Sequence, residues 1–350
     1  MSSETTSLYR KYRPQKWGDV IGQDHIVKVI KGALDLGNIS HAYLFAGPRG
    51  IGKTSVARII AKDLDVSPSD LHEIDAASNR GIDDVREIKT SVSSVPFESK
   101  YKIYIIDEAH MLTKEAWNAF LKTLEEPPEY VIFILATTEM EKIPETILSR
   151  CQIYQFKRPS QKILRELVAN ISKKEGFTID ASSAELIALL ADASFRDAQG
   201  ILQKVMSYSK NKKISIEEVE TVTGAPQNTL INDFVKSVSD KSLEKALGYV
   251  HKAASQNVDM KIFMRLVLQK MRFVLLLKFG GGMEEDEVKG ELSDDDFKFI
   301  KAVSKDPECA IGSEVLSELL LAQEFVSRAY TPELPIELAL IKLFNKDEQV

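Results

Sequence analysis

One eight-residue string, Gly47-Pro-Arg-Gly-Ile-Gly-Lys-Thr54, constrains this chain more than anything else in it. It fits G-x-x-x-x-G-K-[ST], where glycines let backbone N–H groups converge on phosphate oxygens. The lysine then reaches the terminal phosphates and the hydroxyl can ligate magnesium. That chemistry requires a strand before the loop and a helix after it. Tyr43–Ala46 is apolar and strand-like, and Ser55–Lys62 has helical spacing, so both requirements are met. A plain glycine turn would not need either neighbour. The expected ligand is a nucleoside triphosphate, ATP with magnesium, held by Gly47, Pro48, Arg49, Gly50, Ile51, Gly52, Lys53 and Thr54.

The rest of the first half has the pattern such a loop demands. His41–Ala46, Tyr101–Ile106 and Val131–Ala136 are near-continuous apolar runs, the signature of strands buried on both faces of a parallel sheet. Helical patterns at Thr54–Lys62, Asp83–Ser91 and Lys114–Leu124 alternate with them, which predicts an α/β layer fold. After Pro159 the character changes. Ile163–Glu175, Ser183–Asp192, Asp197–Tyr208 and Ile216–Val222 read as helices with short polar breaks, and no strand-like run remains. Beyond Gly224-Ala-Pro226 the pattern is helical throughout, except for the glycine-rich, acidic stretch Gly280–Asp296. We expect that stretch to be a solvated loop, with Ser293 capping the helix that follows.

Composition sets outer limits. At 350 residues the chain can hold two or three domains. Met1–Thr6 is polar, so no signal pattern opens the sequence, and no apolar run approaches the ~20 residues that span a bilayer. A cytoplasmic protein is expected, with no membrane partner. Cys151 and Cys309 are too few for a disulfide framework or a four-cysteine zinc site. A net charge of −6 neither supports nor excludes DNA, which would have to be met by local basic groups or helix N-termini.

A second motif turns binding into chemistry. Ile103-Tyr-Ile-Ile-Asp107-Glu108 is an apolar strand ending in two carboxylates. Asp107 at its tip is placed to hold the magnesium shell, and Glu108 to polarise an attacking water. Thr138, after the strand Val131–Ala136, either caps that strand or hydrogen-bonds the γ-phosphate or the water. Arg150 is either a surface charge or an arginine finger that completes a neighbour's site. Arg196, at the start of a helix in the second region, could reach back to the nucleotide.

These pieces, in this order, resemble the AAA+ ATPases, and within them the gamma/tau clamp-loader subunits of bacterial DNA polymerase III. Leu8-Tyr-Arg-Lys-Tyr-Arg-Pro14, Val20-Ile-Gly-Gln23, Glu73-Ile-Asp-Ala-Ala-Ser-Asn-Arg-Gly81, Leu121-Lys-Thr-Leu-Glu-Glu-Pro-Pro128 and Leu148-Ser-Arg-Cys151 carry the likeness. Pro335–Leu340 extends it to the end of the family's helical third domain. The resemblance implies an AAA+ sheet domain over 1–158, a helical lid over 159–224 and a helical collar over 225–350. It makes Thr138 the sensor 1 residue, Arg150 the trans-acting finger and Arg196 the sensor 2 arginine, with Tyr12, Arg13, Val20 and Ile21 near the adenine. The implied assembly is a pentameric ring with other clamp-loader subunits, which uses ATP to load a sliding clamp onto primed DNA. Arg80 and Lys114, each ahead of a helix, are the candidate DNA contacts.

One departure stands out. Family members carry a four-cysteine zinc module between the helix after the loop and the Glu-Ile-Asp-Ala-Ala segment, and Lys62–His72 contains no cysteine. No zinc is therefore expected, and the stop at the collar reads as a short, gamma-like form. Asp-Glu-Ala-His110 also invites a DEAH-type helicase, but the helical sequence after Pro159 cannot supply the second RecA-like domain. A non-enzymatic scaffold is disfavoured by the intact Lys53, Thr54, Asp107 and Glu108. A different DNA-remodelling AAA+ motor, such as a branch-migration or recombination factor, is the remaining alternative.

Overall fold

The computed structural model describes residues 7–280 and 283–344; Met1–Thr6, read above as a polar start, lies outside them. Five parallel strands form the first sheet: β1 (Ala42–Ala46), β2 (Leu71–Asp75), β3 (Lys102–Asp107), β4 (Val131–Thr137) and β5 (Gln152–Gln155). Their spatial order is β2-β3-β4-β1-β5.

Side-chain alternation along the central strands feeds two cores. Leu44, Tyr104, Ile106, Phe133 and Leu135 face the helices Ile82–Val92 and Lys114–Glu125, where Val85, Trp117 and Phe120 close the layer. Tyr43, Phe45, Ile103, Ile105 and Ile134 face the opposite way, onto Ile26 and Ile30 of the helix Asp24–Asp35 and Val56 and Ile60 of the helix Lys53–Asp63. Each of these side chains is essentially out of water, worth roughly 1.5–3 kcal/mol apiece for the larger ones. Both faces being covered is why the three central strands read as unbroken apolar runs.

The apolar runs predict three strands, and the sheet has five. β2 and β5 are its edges, and neither contains a fully buried residue. Leu-His-Glu-Ile-Asp and Gln-Ile-Tyr-Gln accordingly carry no continuous apolar signal.

The fold divides into two compact units. The first comprises residues up to Leu164 together with Ala193–Gly200, and the second comprises Arg165–Asp192 and the chain from Ile201 onward. The second unit is largely helical, but not wholly so. Thr178–Ile179 (β6) and Lys213–Ile214 (β7) pair as a short parallel ladder, which corrects the expectation that no strand follows Pro159. Two residues are too few to leave a period in the sequence. Within this unit the 20-residue helix Met260–Phe279 is central, packing against Asn228–Ser239, Asp294–Lys305 and Ser313–Val326. Phe234 meets Phe263 edge-on, with centroids 5.2 Å apart.

The acidic stretch Gly280–Asp296 is also corrected. It forms the helix Met283–Glu291, from which Val288 is buried and Glu285 pairs with Lys301. Glu285 and Asp286 stand in its first turn, where carboxylates suit a helix N-terminus, a favourable effect that composition alone disguised as a loop. Ser293 caps the next helix as expected, its Oγ accepting from the N–H of Asp296 at 3.4 Å.

A buried polar knot lies at the middle of Met260–Phe279. Lys270 Nζ donates to Asn228 Oδ1 at 2.5 Å, Asn232 Oδ1 at 2.6 Å and Asp296 Oδ1 at 2.7 Å. Nearby, Glu185 Oε1 accepts from the N–H of Ser293 at 3.1 Å. Burial, reinforced by Asp296, pushes the Glu185 carboxyl up to about 7.

Candidate nucleotide site

The loop Gly47–Gly52 leaves β1 and enters the helix Lys53–Asp63 through three residues with positive φ: Gly47 (144°), Gly50 (75°) and Gly52 (107°). Two of these glycines are also needed for space. A Cβ on Gly47 would stand 2.8 Å from the carbonyl oxygen of Phe156, and one on Gly50 would stand 2.1 Å from Ser194 Oγ. The close approach at Gly50 docks the loop on the segment Ala193–Gly200, where the N–H of Phe195 donates to the Gly50 carbonyl at 3.0 Å. Arg196 therefore stands beside the loop, its guanidinium 5.9 Å from the ring centre of Tyr9. Arg49 pairs loosely with Asp197, at 3.8 Å.

Lys53 is 5% exposed, and its Nζ donates to the carbonyls of Gly47 (2.6 Å) and Pro48 (2.8 Å). Burial holds this ammonium below the ordinary lysine range, against the opposing pull of Glu108 and Asp107. Thr54 Oγ1 donates to Asp107 Oδ2 at 2.9 Å. The hydroxyl and carboxylate expected to share a magnesium ion are thus already adjacent, and both are oxygen donors of the kind magnesium takes. A glycine loop crowded against any Cβ at Gly47 and Gly50, a buried lysine and this oxygen pair together fit Mg·ATP.

Glu108 follows the tip of β3 in a left-handed conformation (φ 48°), a strain that clusters at functional sites. Thr138 Oγ1, just past the tip of β4, donates to Glu108 Oε2 at 3.1 Å. Strands β3, β4 and β1 are neighbours in that order, so Lys53, Thr54, Asp107, Glu108 and Thr138 converge at the carboxyl ends of adjacent strands.

The remaining candidates divide. Arg13 belongs with the loop-side cations: its guanidinium is held below its usual value by burial, then by Arg58. Val20 packs on the core beneath the loop, while Ile21 is 44% exposed, and Tyr12 ends the first short helix. Arg150 is bound elsewhere. Its guanidinium donates to the Thr146 carbonyl (2.6 Å) and to Glu125 Oε1 (2.5 Å). Arg80 and Lys114 are both exposed; Arg80 Nε donates to the Ala77 carbonyl at 2.6 Å, and Lys114 opens the helix capped by Thr113.

Two contributors were not foreseen. Ser194 seats Gly50, and His110 lies against Glu108. Nothing in the spacing marks Ser194, since its partner is a glycine far upstream. His110 was visible only as the last letter of Asp-Glu-Ala-His.

A parallel sheet ordered β2-β3-β4-β1-β5, with a phosphate loop after β1 and paired carboxylates after β3, defines a P-loop domain of the AAA+ type. Residues 65–160 match the protein family described as DNA polymerase III, delta subunit. The chain is 42% identical over 299 residues to DNA polymerase III subunit tau of Bacillus subtilis (strain 168), covering 79% of this chain and 53% of that one. It is 35% identical over 273 residues to DNA polymerase III subunit tau of Escherichia coli (strain K12), covering 72% and 42%. Over these aligned residues the chain is related to the DNA polymerase III gamma/tau subunits. It spans about half the length of the curated relatives it matches. Among solved structures, the Thermotoga maritima RuvB Holliday junction branch migration motor superposes with a TM-score of 0.53 at 21% identity, over 74% of this chain and 91% of that one. That likeness is one of fold. Among the described residues, no helix is long and apolar enough to cross a membrane.

Proposed function

We propose that this chain is an ATP-hydrolysing clamp-loader subunit of a bacterial replicative polymerase, which uses ATP to load a sliding clamp onto primed DNA. The observation that carries the proposal is the meeting of Lys53, Thr54, Asp107, Glu108 and Thr138 at the ends of three adjacent strands, β3, β4 and β1, in a chain related to DNA polymerase III subunits. Thr54 and Asp107 would hold magnesium, which when bound neutralises phosphate charge. Lys53 and the loop amides bind and orient the phosphates. Glu108 accepts the proton of the attacking water, and Thr138 fixes that carboxylate. Arg196, with Arg13, closes the cationic side of the site. Tyr12, Val20 and Ile21 are assigned to the adenine.

Arg150 takes no part in its own site in this reading. It acts as the finger for a neighbouring subunit in a ring, five-membered by family resemblance. The lid over 159–224, the collar over 225–350, DNA contacts at Arg80 and Lys114, and a cytoplasmic location belong to the same reading. The branch-migration alternative has only a likeness of fold behind it.

The test is ATP turnover by the full chain assembled with clamp-loader partners, with and without primed DNA and sliding clamp together. We expect a clear rise when both are present. The same rate with and without them ends the clamp-loading reading, while absence of any turnover ends the ATPase reading.

A further inference from the structure

The chemistry above leaves one buried side chain at the site without a task. His110 is 6% exposed, and both ring nitrogens face oxygens. Nε2 lies 3.2 Å from Glu139 Oε1. Nδ1 lies 3.1 Å from Thr137 Oγ1 and 3.6 Å from Glu108 Oε2.

The groups around the ring are themselves fixed. The backbone N–H of Glu139 donates to Thr137 Oγ1 at 3.0 Å, and Lys142 Nζ holds the Glu139 carboxylate at 2.7 Å. Lys142, its hydrogen bond first, also draws that carboxyl below its usual range, so Glu139 is a dependable acceptor for the ring. On its other side Glu108 Oε2 receives the hydroxyl of Thr138. One carboxylate oxygen therefore stands between a hydroxyl donor and an imidazole. Glu108 lies beyond the strand ladder and in the left-handed region, so strand pairing does not aim its side chain. Side-chain restraints must do so.

We propose that His110 is a positioning residue for Glu108. Anchored on Glu139 and Thr137, the ring limits the carboxylate on one side while Thr138 holds it on the other, so that Glu108 meets the attacking water in a single orientation. Misplacement of such a base costs rate rather than binding. This assignment rests on the hydrolytic reading of Glu108 given above.

Single-turnover hydrolysis by the full chain in its assembled ring, paired with the Kd for a fluorescent ATP analogue, tests it. His110→Ala is expected to slow hydrolysis about ten-fold or more with the Kd unchanged. His110→Asn puts an amide nitrogen near the Nδ1 position and keeps most of the rate. His110→Gln reaches toward the Nε2 position and does not. In a Glu108→Gln background, His110→Ala adds no further loss, because the two act as one unit. An unchanged rate in His110→Ala, or an undiminished further loss on top of Glu108→Gln, overturns the proposal. Where His110→Ala fails to fold, equal rates for the Asn and Gln variants overturn it. If the unaltered chain hydrolyses no ATP, or Glu108→Gln leaves the rate untouched, the hydrolytic reading of Glu108 falls first and this assignment with it.

Discussion

Thr138 Oγ1 donates to Glu108 Oε2 at 3.1 Å, so a residue just past one central strand holds the carboxylate just past the next. Because the acceptor is charged, this bond is of the stronger kind, roughly 1.5–3 kcal/mol. Thr138→Ala should therefore lower kcat for ATP by about ten- to a hundred-fold with little change in nucleotide affinity. Steady-state rates beside equilibrium binding check this. A weakened Kd with normal kcat would place Thr138 on the ground-state nucleotide instead.

Lys53 and Arg150 should separate cleanly. Lys53 is buried against the loop carbonyls, so Lys53→Ala removes the loop's own cation and should abolish measurable ATP binding. Arg150 is held by Thr146 and by a partly exposed pair with Glu125, worth at most about 1 kcal/mol of stability. Arg150→Ala should leave folding and ATP binding intact and lose most turnover only in the assembled ring. A fluorescent-nucleotide titration on each variant decides it; equal loss of binding in both would put Arg150 in its own site.

Gly50→Ala tests the docking of the loop. Its Cβ would meet Ser194 Oγ at 2.1 Å, at a φ of 75°. We expect a destabilisation of about 1–3 kcal/mol, together with weaker nucleotide binding as the loop lifts from Ala193–Gly200. Thermal unfolding and nucleotide titration measure the two effects. A variant as stable and as tight-binding as the parent would mean that the loop shifts without cost.

Glu185 predicts a pH dependence in the helical unit. Burial first, and Asp296 second, lift its carboxyl from 4.5 to about 7, with Arg165 and Lys270 opposing. The folded state thus binds a proton that the unfolded chain has released, so stability falls as pH rises from about 4.5 to about 7 and is flat above. The full loss is of the order of 3 kcal/mol. Glu185→Gln, which keeps an acceptor for the Ser293 N–H, should remove the slope and be the more stable protein at pH 8. Urea unfolding at pH 5 and pH 8 checks the sign.

The sequence announced what the fold buries symmetrically. β1, β3 and β4 are covered on both faces, and their unbroken apolar runs declared the sheet and put Lys53, Asp107, Glu108 and Thr138 at its strand tips. It was silent where burial is one-sided or brief. β2 and β5 mix polar and apolar residues at the sheet edges, and β6 and β7 are two residues long. Met283–Glu291 is acidic enough to pass for a loop, because helix formation there rests on partners such as Lys301 for Glu285. The seat of Gly50 on Ser194 and the anchoring of the His110 ring on Thr137 and Glu139 exist only once distant segments meet, and no spacing rule encodes them.

That seat bears on how such a site can be inherited. The phosphate loop lies near the start of the chain, yet the serine and arginine beside it arrive only after the chain has left the sheet unit at Leu164 and returned at Ala193. No gene fragment ending with the last sheet strand encodes the whole pocket. Shuffling by contiguous gene fragments that stop short of Ala193 would transplant a loop without its seat. The module can be copied between proteins only as a length of sequence that also brings Arg165–Asp192 along.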